Sequence, residues 1–385
     1  MSAVLPTHAA SPAAFPRLVA FYLPQFHPTA ENDAWWGKGF TEWTNVTGAR
    51  PLFAGHAQPH LPADLGFYDL RLPDARAAQA EMARTYGIEA FCYYHYWFHG
   101  KRLLHRPIDD VLASGEPDFP FCLCWANEPW SRTWMGDEKQ VLMPQNYSAA
   151  DDEEHARWLT AAFADPRYLR TDGRPVFLIY RPSHLASPAA TIDAIRNASS
   201  REGVADPYIV LCDGHEAGAD LRVRYGADMT LRYEPQLSVL PGGLGPMPSW
   251  RRLITNVQYA SEMTSRLRMF DYARSRSLMR DIESVGPAIR TVLVRWDNTP
   301  RRGERGIIMT GATPEAFGRE LASELDRPDW NSSGTSLMFL NAWNEWAEGN
   351  YLEPDQAYGH AYLEQVRDVL ASHIASHETR AMVRA

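Results

Sequence analysis

Cysteine is scarce in this chain of 385 residues: there are four, and no Cys-x-x-Cys pair among them. Cys92, Cys122, Cys124 and Cys212 all fall in apolar, strand-like runs. That excludes a disulfide-stapled secreted scaffold and points to buried thiols in a reducing compartment. A basic block is missing as well. Lys and Arg number 38 against 47 Asp and Glu, for a net charge of -9 and a pI near 5.8. This balance argues against a general nucleic-acid or anionic-membrane binder, which needs a basic stripe. No apolar run approaches the length of a membrane span. The opening MSAVLPTHAASPAAFP lacks a basic start followed by an apolar core. The expected location is therefore cytoplasmic, and the Asn-x-Ser/Thr sequons at Asn45, Asn146, Asn197 and Asn331 carry little weight.

Absent motifs narrow the chemistry further. Without a Gly-x-Ser-x-Gly elbow there is no support for a Ser/His/Asp hydrolase, and without a Gly-rich phosphate loop none for a P-loop or dinucleotide site. An Asp-x-Asp motif in an early Rossmann-like half, the usual mark of nucleotide-sugar enzymes, is also missing. The spacings His56/His60 and His95/His99 invite a metal reading, but neither pair has an HExxH context. No metal or cofactor is expected.

Aromatic residues are what the chain has in quantity, with 13 Trp, 17 Tyr and 15 Phe, many beside hydroxyls and amides. Such neighbourhoods suit carbohydrate, although for any single ring the default is a place in the core. Residues 1–16 are rich in Ala and Pro and are expected to be disordered. Beyond them, eight β-rich runs begin at Leu18, Ile88, Pro120, Pro175, Pro207, Asp228, Arg290 and Ser336. Helical patterns alternate with them: Pro73 to Tyr86, Ser148 to Phe163, Pro188 to Glu202, around Asp271 to Glu283, Thr313 to Leu325 and Ala357 to Ser376. This alternation predicts an α/β fold, a single (β/α)8 TIM-type barrel over residues 17–377 with extended βα loops and a short tail at 378–385. The acidic run Asp151 to Glu154 fits a helix's first turn, and the Pro/Gly-rich Leu240 to Pro248 reads as a long βα loop.

Barrel enzymes keep their chemistry at the C-terminal strand ends. Here those ends carry Tyr22, Gln25 and His27; Tyr94, His95, Tyr96 and Trp97; Trp125, Asn127 and Glu128; Arg181; Asp213; Tyr233 and Glu234; Trp296, Asp297 and Asn298; and Asn344, Glu345 and Glu348. A barrel with no site has no reason to put polar or aromatic groups at nearly every mouth position. In LNAWNEWAEGNYLEP (Leu340 to Pro354), Glu345 and Glu348 lie three apart after an apolar run. Both can serve one pocket only if the chain turns near Glu345. Glycosidic cleavage needs two carboxylates, one to protonate the leaving oxygen and one as base or nucleophile, and these are the leading pair. Glu128, in Trp125-Ala126-Asn127-Glu128-Pro129-Trp130, ends a strand and is the competitor, but it falls on the third strand rather than the fourth.

The blocks AFYLPQFHPTAENDAWWGKGFTEWTNV (Ala20 to Val46), QPHLPADLGFYDLR (from Gln58), CYYHYWFHGKRLL (from Cys92), FCLCWANEPW (from Phe121) and FLNAWNEWAEGNYLEP (from Phe339) resemble the WbsX-type family. That family is distantly similar to glycoside hydrolase family 99, the endo-α-mannosidases and endo-α-mannanases. The resemblance implies a (β/α)8 barrel and retaining chemistry on α-linked, mannose-type glycans through a 1,2-anhydro sugar. In it Glu345 is the base on the 2-hydroxyl and Glu348 the general acid/base. Tyr22, His95, Trp125, Asn127, Glu128 and Asn344 become substrate-binding candidates. The chain departs from the family pattern at Pro129 and Thr133-Trp134-Met135, where a charged pair is missing.

Three functional expectations follow. The first is a retaining glycoside hydrolase or transglycosidase acting on an oligo- or polysaccharide. The second, from the family's association with O-antigen and capsule biosynthesis, is a glycosyltransferase of surface polysaccharide acting on a lipid-linked or activated sugar. The third is a non-catalytic carbohydrate-binding barrel, against which the intact Glu345 and Glu348 count.

Overall fold

The computed structural model describes residues 16–132, 137–214, 220–241, 267–281, 285–327 and 329–384. The expected N-terminal tail and most of the Leu240 to Pro248 loop lie outside them, as does Thr133-Trp134-Met135.

Eight parallel strands close into a barrel: β1 (Arg17–Tyr22), β2 (Ile88–Phe98), β3 (Phe121–Trp125), β4 (Arg174–Ile179), β5 (Tyr208–Cys212), β6 (Met229–Arg232), β7 (Ala288–Leu293) and β8 (Leu337–Asn341). Each pairs with the next, and closure comes at β1, where Leu18 faces Met338 of β8 on one side and Tyr22 faces Tyr93 of β2 on the other. All eight β-rich runs of the sequence are barrel strands. They are nearly continuous apolar segments because a barrel strand is covered on both faces, by the interior and by the helices.

The helices are α1 (Ala30–Trp36), α2 (Glu42–Gly48), α3 (Pro73–Thr85), α4 (Arg106–Ser114), α5 (Ala149–Phe163), α6 (Pro188–Arg201), α7 (Leu221–Tyr225), α8 (Tyr272–Arg280), α9 (Thr299–Arg302), α10 (Pro314–Leu325) and α11 (Ala361–Arg384). Their starts follow local rules. Ser148, Asp271 and Thr313 accept from main-chain N–H groups in the first turns of α5, α8 and α10, satisfying donors that a helix start leaves unpaired. Asp151 and Asp152 lie in the first turn of α5, where the macrodipole favours negative charge. The last helix continues to Arg384, through the stretch expected as a tail. No helix among the described residues is long and apolar enough to cross a membrane.

Strand parity decides what faces the barrel interior. Phe21 points inward, its ring centroid 5.5 Å from Tyr94, 5.4 Å from Tyr233 and 5.2 Å from Phe339. Its neighbour Tyr22 points outward to α3, donating to Gln79 Oε1 at 2.7 Å. A satellite cluster of Leu240, Tyr272, Met279, Leu293, Trp296 and Ile307 packs beside the β7 end of the barrel. It is braced by the parallel pairing of Arg268–Asp271 with Ile307–Thr310. This cluster anchors the loop that carries α9.

Candidate active site

The chain turns immediately after Glu345. Asn344–Glu345 pairs antiparallel with Asn350–Tyr351, and Trp346–Glu348 between them form a single 3₁₀ turn. Gly349 closes it at φ +57°, and a Cβ there would come within 2.9 Å of Asp297 Cβ. Only glycine meets both the left-handed backbone and the close approach. Across this contact the Asp297 N–H donates to Glu348 O at 2.7 Å, locking the acid-bearing turn to the loop after β7.

That loop brings in Arg301 from α9. Its Nη1 lies 2.6 Å from Glu348 Oε1, and its Nη2 lies 3.0 Å from Glu345 Oε2. Nε and Nη2 also donate to Glu42 Oε1, at 2.9 Å and 2.5 Å. Glu42 is the first residue of α2 and fully buried. Three carboxylates thus share one guanidinium, whose planar fork of donors suits several oxygens at once. The Glu345 side chain is 9% exposed and that of Glu348 24%. Burial pushes the Glu345 carboxyl up to about 8 against the pull of Arg301, with Glu348 and Glu42 adding to the rise. Burial raises Glu42 too, again over the opposing Arg301. A buried group with two like charges near it favours its neutral form.

Asp297 holds the loop after β7 in place. His56 Nε2 lies 2.8 Å from Asp297 Oδ2, and Gln58 Nε2 donates to the same oxygen at 2.7 Å. The Thr299 hydroxyl donates to Oδ1 at 2.6 Å. Burial opposes ionisation, but the hydrogen bonds from His56, Thr299 and Gln58 keep this carboxyl below the usual range. His60 is paired separately, its Nδ1 2.8 Å from the Tyr351 hydroxyl. Inside the mouth the hydroxyls of Tyr94 and Tyr233 are 2.7 Å apart. Asn341 Nδ2 donates to Tyr233 Oη at 3.2 Å, and Tyr180 meets the Tyr233 ring edge-on at 5.0 Å.

The substrate-binding candidates are distributed differently from expectation. Tyr22 is buried against α3 and is not at the mouth. His95 is buried with its Nε2 3.0 Å from His155 Nε2 and its ring stacked 4.6 Å from Trp158, both on α5. Trp125 is fully buried, edge-on to His155 at 4.5 Å. These three occupy outward strand positions; the inward positions next to them belong to Phe21 beside Tyr22, Tyr94 and Tyr96 beside His95, and Cys124 beside Trp125, since alternate residues face opposite ways. Asn127 accepts the Arg181 N–H at 2.7 Å and donates to Arg181 O at 2.8 Å, tying the β3 end to the β4 end. Asn344 does the same for Leu23, at 2.7 Å and 3.0 Å. Each Nδ2 also reaches a phenol, Tyr147 Oη at 3.3 Å from Asn127 and Tyr68 Oη at 3.2 Å from Asn344. Glu128 remains half-buried, 2.5 Å from Arg181 Nη2. Of the other strand-end residues, Glu234 pairs with the buried Arg276, and Asp213 accepts from Tyr233 N and Gln236 Nε2 at 3.0 Å and 3.1 Å.

Glu42 and Arg301 were missed among the site residues. Glu42 does lie within the quoted block Ala20 to Val46, in Phe-Thr-Glu-Trp. Arg301 is three residues past the last strand-end position named after β7, in a segment with no catalytic pattern of its own.

Residues 18–366 match the family model described as "Glycosyltransferase WbsX". The chain belongs to the WbsX glycosyltransferase family. It is 42% identical over 361 residues to "Uncharacterized protein WxcX" of Xanthomonas campestris pv. campestris (strain B100), covering 92% of this chain and 49% of that protein. The WxcX protein of strain ATCC 33913 is 41% identical over the same length. The chain thus spans about half the length of the curated relatives it matches. Among solved structures, the family 99 endo-α-mannosidase of Bacteroides thetaiotaomicron superposes with a TM-score of 0.53 at 15% identity, over 94% of this chain and 98% of that one. A "Glycoside hydrolase-like protein" reaches 0.55 at 15% identity, over 95% and 97%. These likenesses concern the fold. Together with the family match they place this WbsX chain on a family 99-like barrel.

Proposed function

We propose that this WbsX chain cleaves or transfers an α-linked, mannose-type glycosidic bond with retention, through a 1,2-anhydro sugar. The observation that carries the reading is the single turn presenting Glu345 and Glu348 to one guanidinium at the C-terminal mouth of a barrel. In the first step Glu345, as carboxylate, takes the proton of the 2-hydroxyl while that oxygen attacks C1. The C1–O bond to the leaving sugar breaks, and its oxygen takes the proton held by Glu348. Water, deprotonated by Glu348, then opens the strained ring at C1, and Glu345 returns its proton to O2.

The raised carboxyl of Glu345 is compatible with these roles. Burial lifts the Glu345 carboxyl to about 8, and the proposed reaction places that proton on Glu348 instead. The cluster charge is the same in both. A carboxylate desolvated this far is also a stronger base once ionised.

Transfer is the second reading, favoured by the family's description as glycosyltransferase. A sugar hydroxyl replaces water in the second step, with no other change of roles. Glycan release and transfer on α-mannoside oligosaccharides, with and without nucleotide sugars, separates the two readings. Glu348→Gln should abolish turnover in either case, and full activity in that variant would sink the assignment. A 2-deoxy substrate should not react; normal processing would make Glu345 an ordinary nucleophile or a bystander. Binding without turnover in the wild type would favour a carbohydrate-binding barrel.

A further inference from the structure

Glu42 stands outside the reaction just described, yet it makes the closest contacts to the cation that both acids share. It is fully buried at the start of α2, and two of the three Arg301 nitrogens donate to its Oε1, at 2.9 Å and 2.5 Å. Nη1 donates to Glu348 at 2.6 Å, and Glu345 receives a longer 3.0 Å bond from Nη2, which is already engaged with Glu42. A surface glutamate would do none of this. Burying a carboxylate without need is costly, and a guanidinium facing only two acids would sit closer to both and neutralise them more fully. The Trp346–Glu348 turn, α2 and α9 are packed together by these contacts.

We propose that Glu42 is a positioning residue for the Glu345–Glu348 pair: by holding Arg301 through its Nε and Nη2, it rations the positive charge so that the two acids keep one proton between them. The proposal takes the pair to be the catalytic one, as above. A retaining site of this kind needs that proton, since one acid must donate while the other accepts. With Glu42 present, three carboxylates surround one cation and full ionisation leaves the cluster with excess negative charge in a dry environment. Without Glu42 the cation can neutralise the pair, and the proton is released at lower pH. The other titratable groups facing Glu345 are the phenols of Tyr94, Tyr96 and Tyr233, and burial holds all three neutral over the relevant range. Among the described residues, Arg301, Glu42 and Glu348 are the charged groups acting on Glu345.

The test reads the proton directly and needs no substrate. The protonated-carboxyl stretch of Glu345, identified by its loss in Glu345→Gln, is followed against pH by infrared difference spectroscopy on the full chain. In Glu42→Gln its titration midpoint should move down by one pH unit or more; an unmoved midpoint overturns the proposal. In Arg301→Gln the midpoint should move up. Shifts of the same sign in both variants indicate general loosening of the site and also overturn it. Should Glu42→Gln fail to fold, the Arg301→Gln titration decides, with no upward shift counting against. Because no turnover is measured, this outcome is independent of whether the α-mannoside assays succeed.

Discussion

The indole N–H of Trp346 donates to Glu353 Oε2 at 2.6 Å, so one of the two residues between the candidate acids is held by a further carboxylate. Tyr68 Oη donates to the same oxygen at 2.8 Å, and Gln79 Nε2 donates to Oε1 at 2.7 Å. Glu353 is fully enclosed, and burial lifts its carboxyl to about 7 despite these donors. Glu353→Ala strands Trp346, Tyr68 and Gln79 as unpaired buried donors. The expected cost is about 3 kcal/mol or more by urea unfolding, from roughly 1–3 kcal/mol for each unsatisfied group, with kcat falling more than KM rises. Wild-type stability in this variant would mean that the turn holds its shape without Glu353.

Asn344 is expected to serve the fold rather than the sugar. Its amide brackets Leu23 in both directions, and its Nδ2 also reaches Tyr68 Oη at 3.2 Å. Asn344→Ala should lower stability by about 2–3 kcal/mol, since buried main-chain groups lose their partners. Calorimetry with α-mannoside oligosaccharides should find glycan affinity per folded molecule unchanged. A loss of affinity with stability intact would return Asn344 to the substrate contacts.

His95 and His155 predict an acid-sensitive fold. Burial drives both imidazoles well below the ordinary histidine range, with His155 and Arg102 adding to the effect on His95 and Arg102 to that on His155. The native state therefore binds fewer protons than the unfolded chain below about pH 6.5. Their contribution to stability is present above that pH and is lost as pH falls. Melting temperature measured from pH 8 to pH 5 should drop, and His155→Phe should flatten the drop. An unchanged slope in that variant would assign acid sensitivity to other groups.

Glu345 has the opposite sign. Its carboxyl is lifted from 4.5 to about 8, so the folded state holds the proton more tightly than the unfolded one. That contribution is full below about pH 4.5 and disappears as pH rises to about 8. Glu345→Gln should therefore melt higher than wild type at pH 8 while losing activity by about 10²–10⁴-fold, the usual range for a general base. The kcat/KM profile of the wild type should fall above about pH 8, when the pair loses its last proton. A variant less stable than wild type at pH 8 would contradict a buried charge penalty at this position.

Much of this was readable in the chain itself. The eight strands and six of the eleven helices among the described residues follow from local patterns of apolar runs and capping residues, while α2 and α9, which carry Glu42 and Arg301, were not among them. Strand ends were found correctly, but which of the end residues face the interior was not legible. Tyr22 and His95 sit one position from the inward Phe21 and Tyr94, and a single step along a strand exchanges the barrel interior for the helix layer. Sequence pattern could not choose, because both faces of a barrel strand are apolar and aromatic here.

Local sequence determined that two acids stand on one turn at the end of the last strand. Only the tertiary structure decided what surrounds them. Arg301 and Glu42 are separated by 259 residues, and neither lies in a pattern that announces chemistry. Barrel closure brings the loop after β1 beside the loop after β7, at the end of β8. The electrostatics of the site arise there because Coulomb interactions depend on distance and burial, which spacing along the chain does not encode.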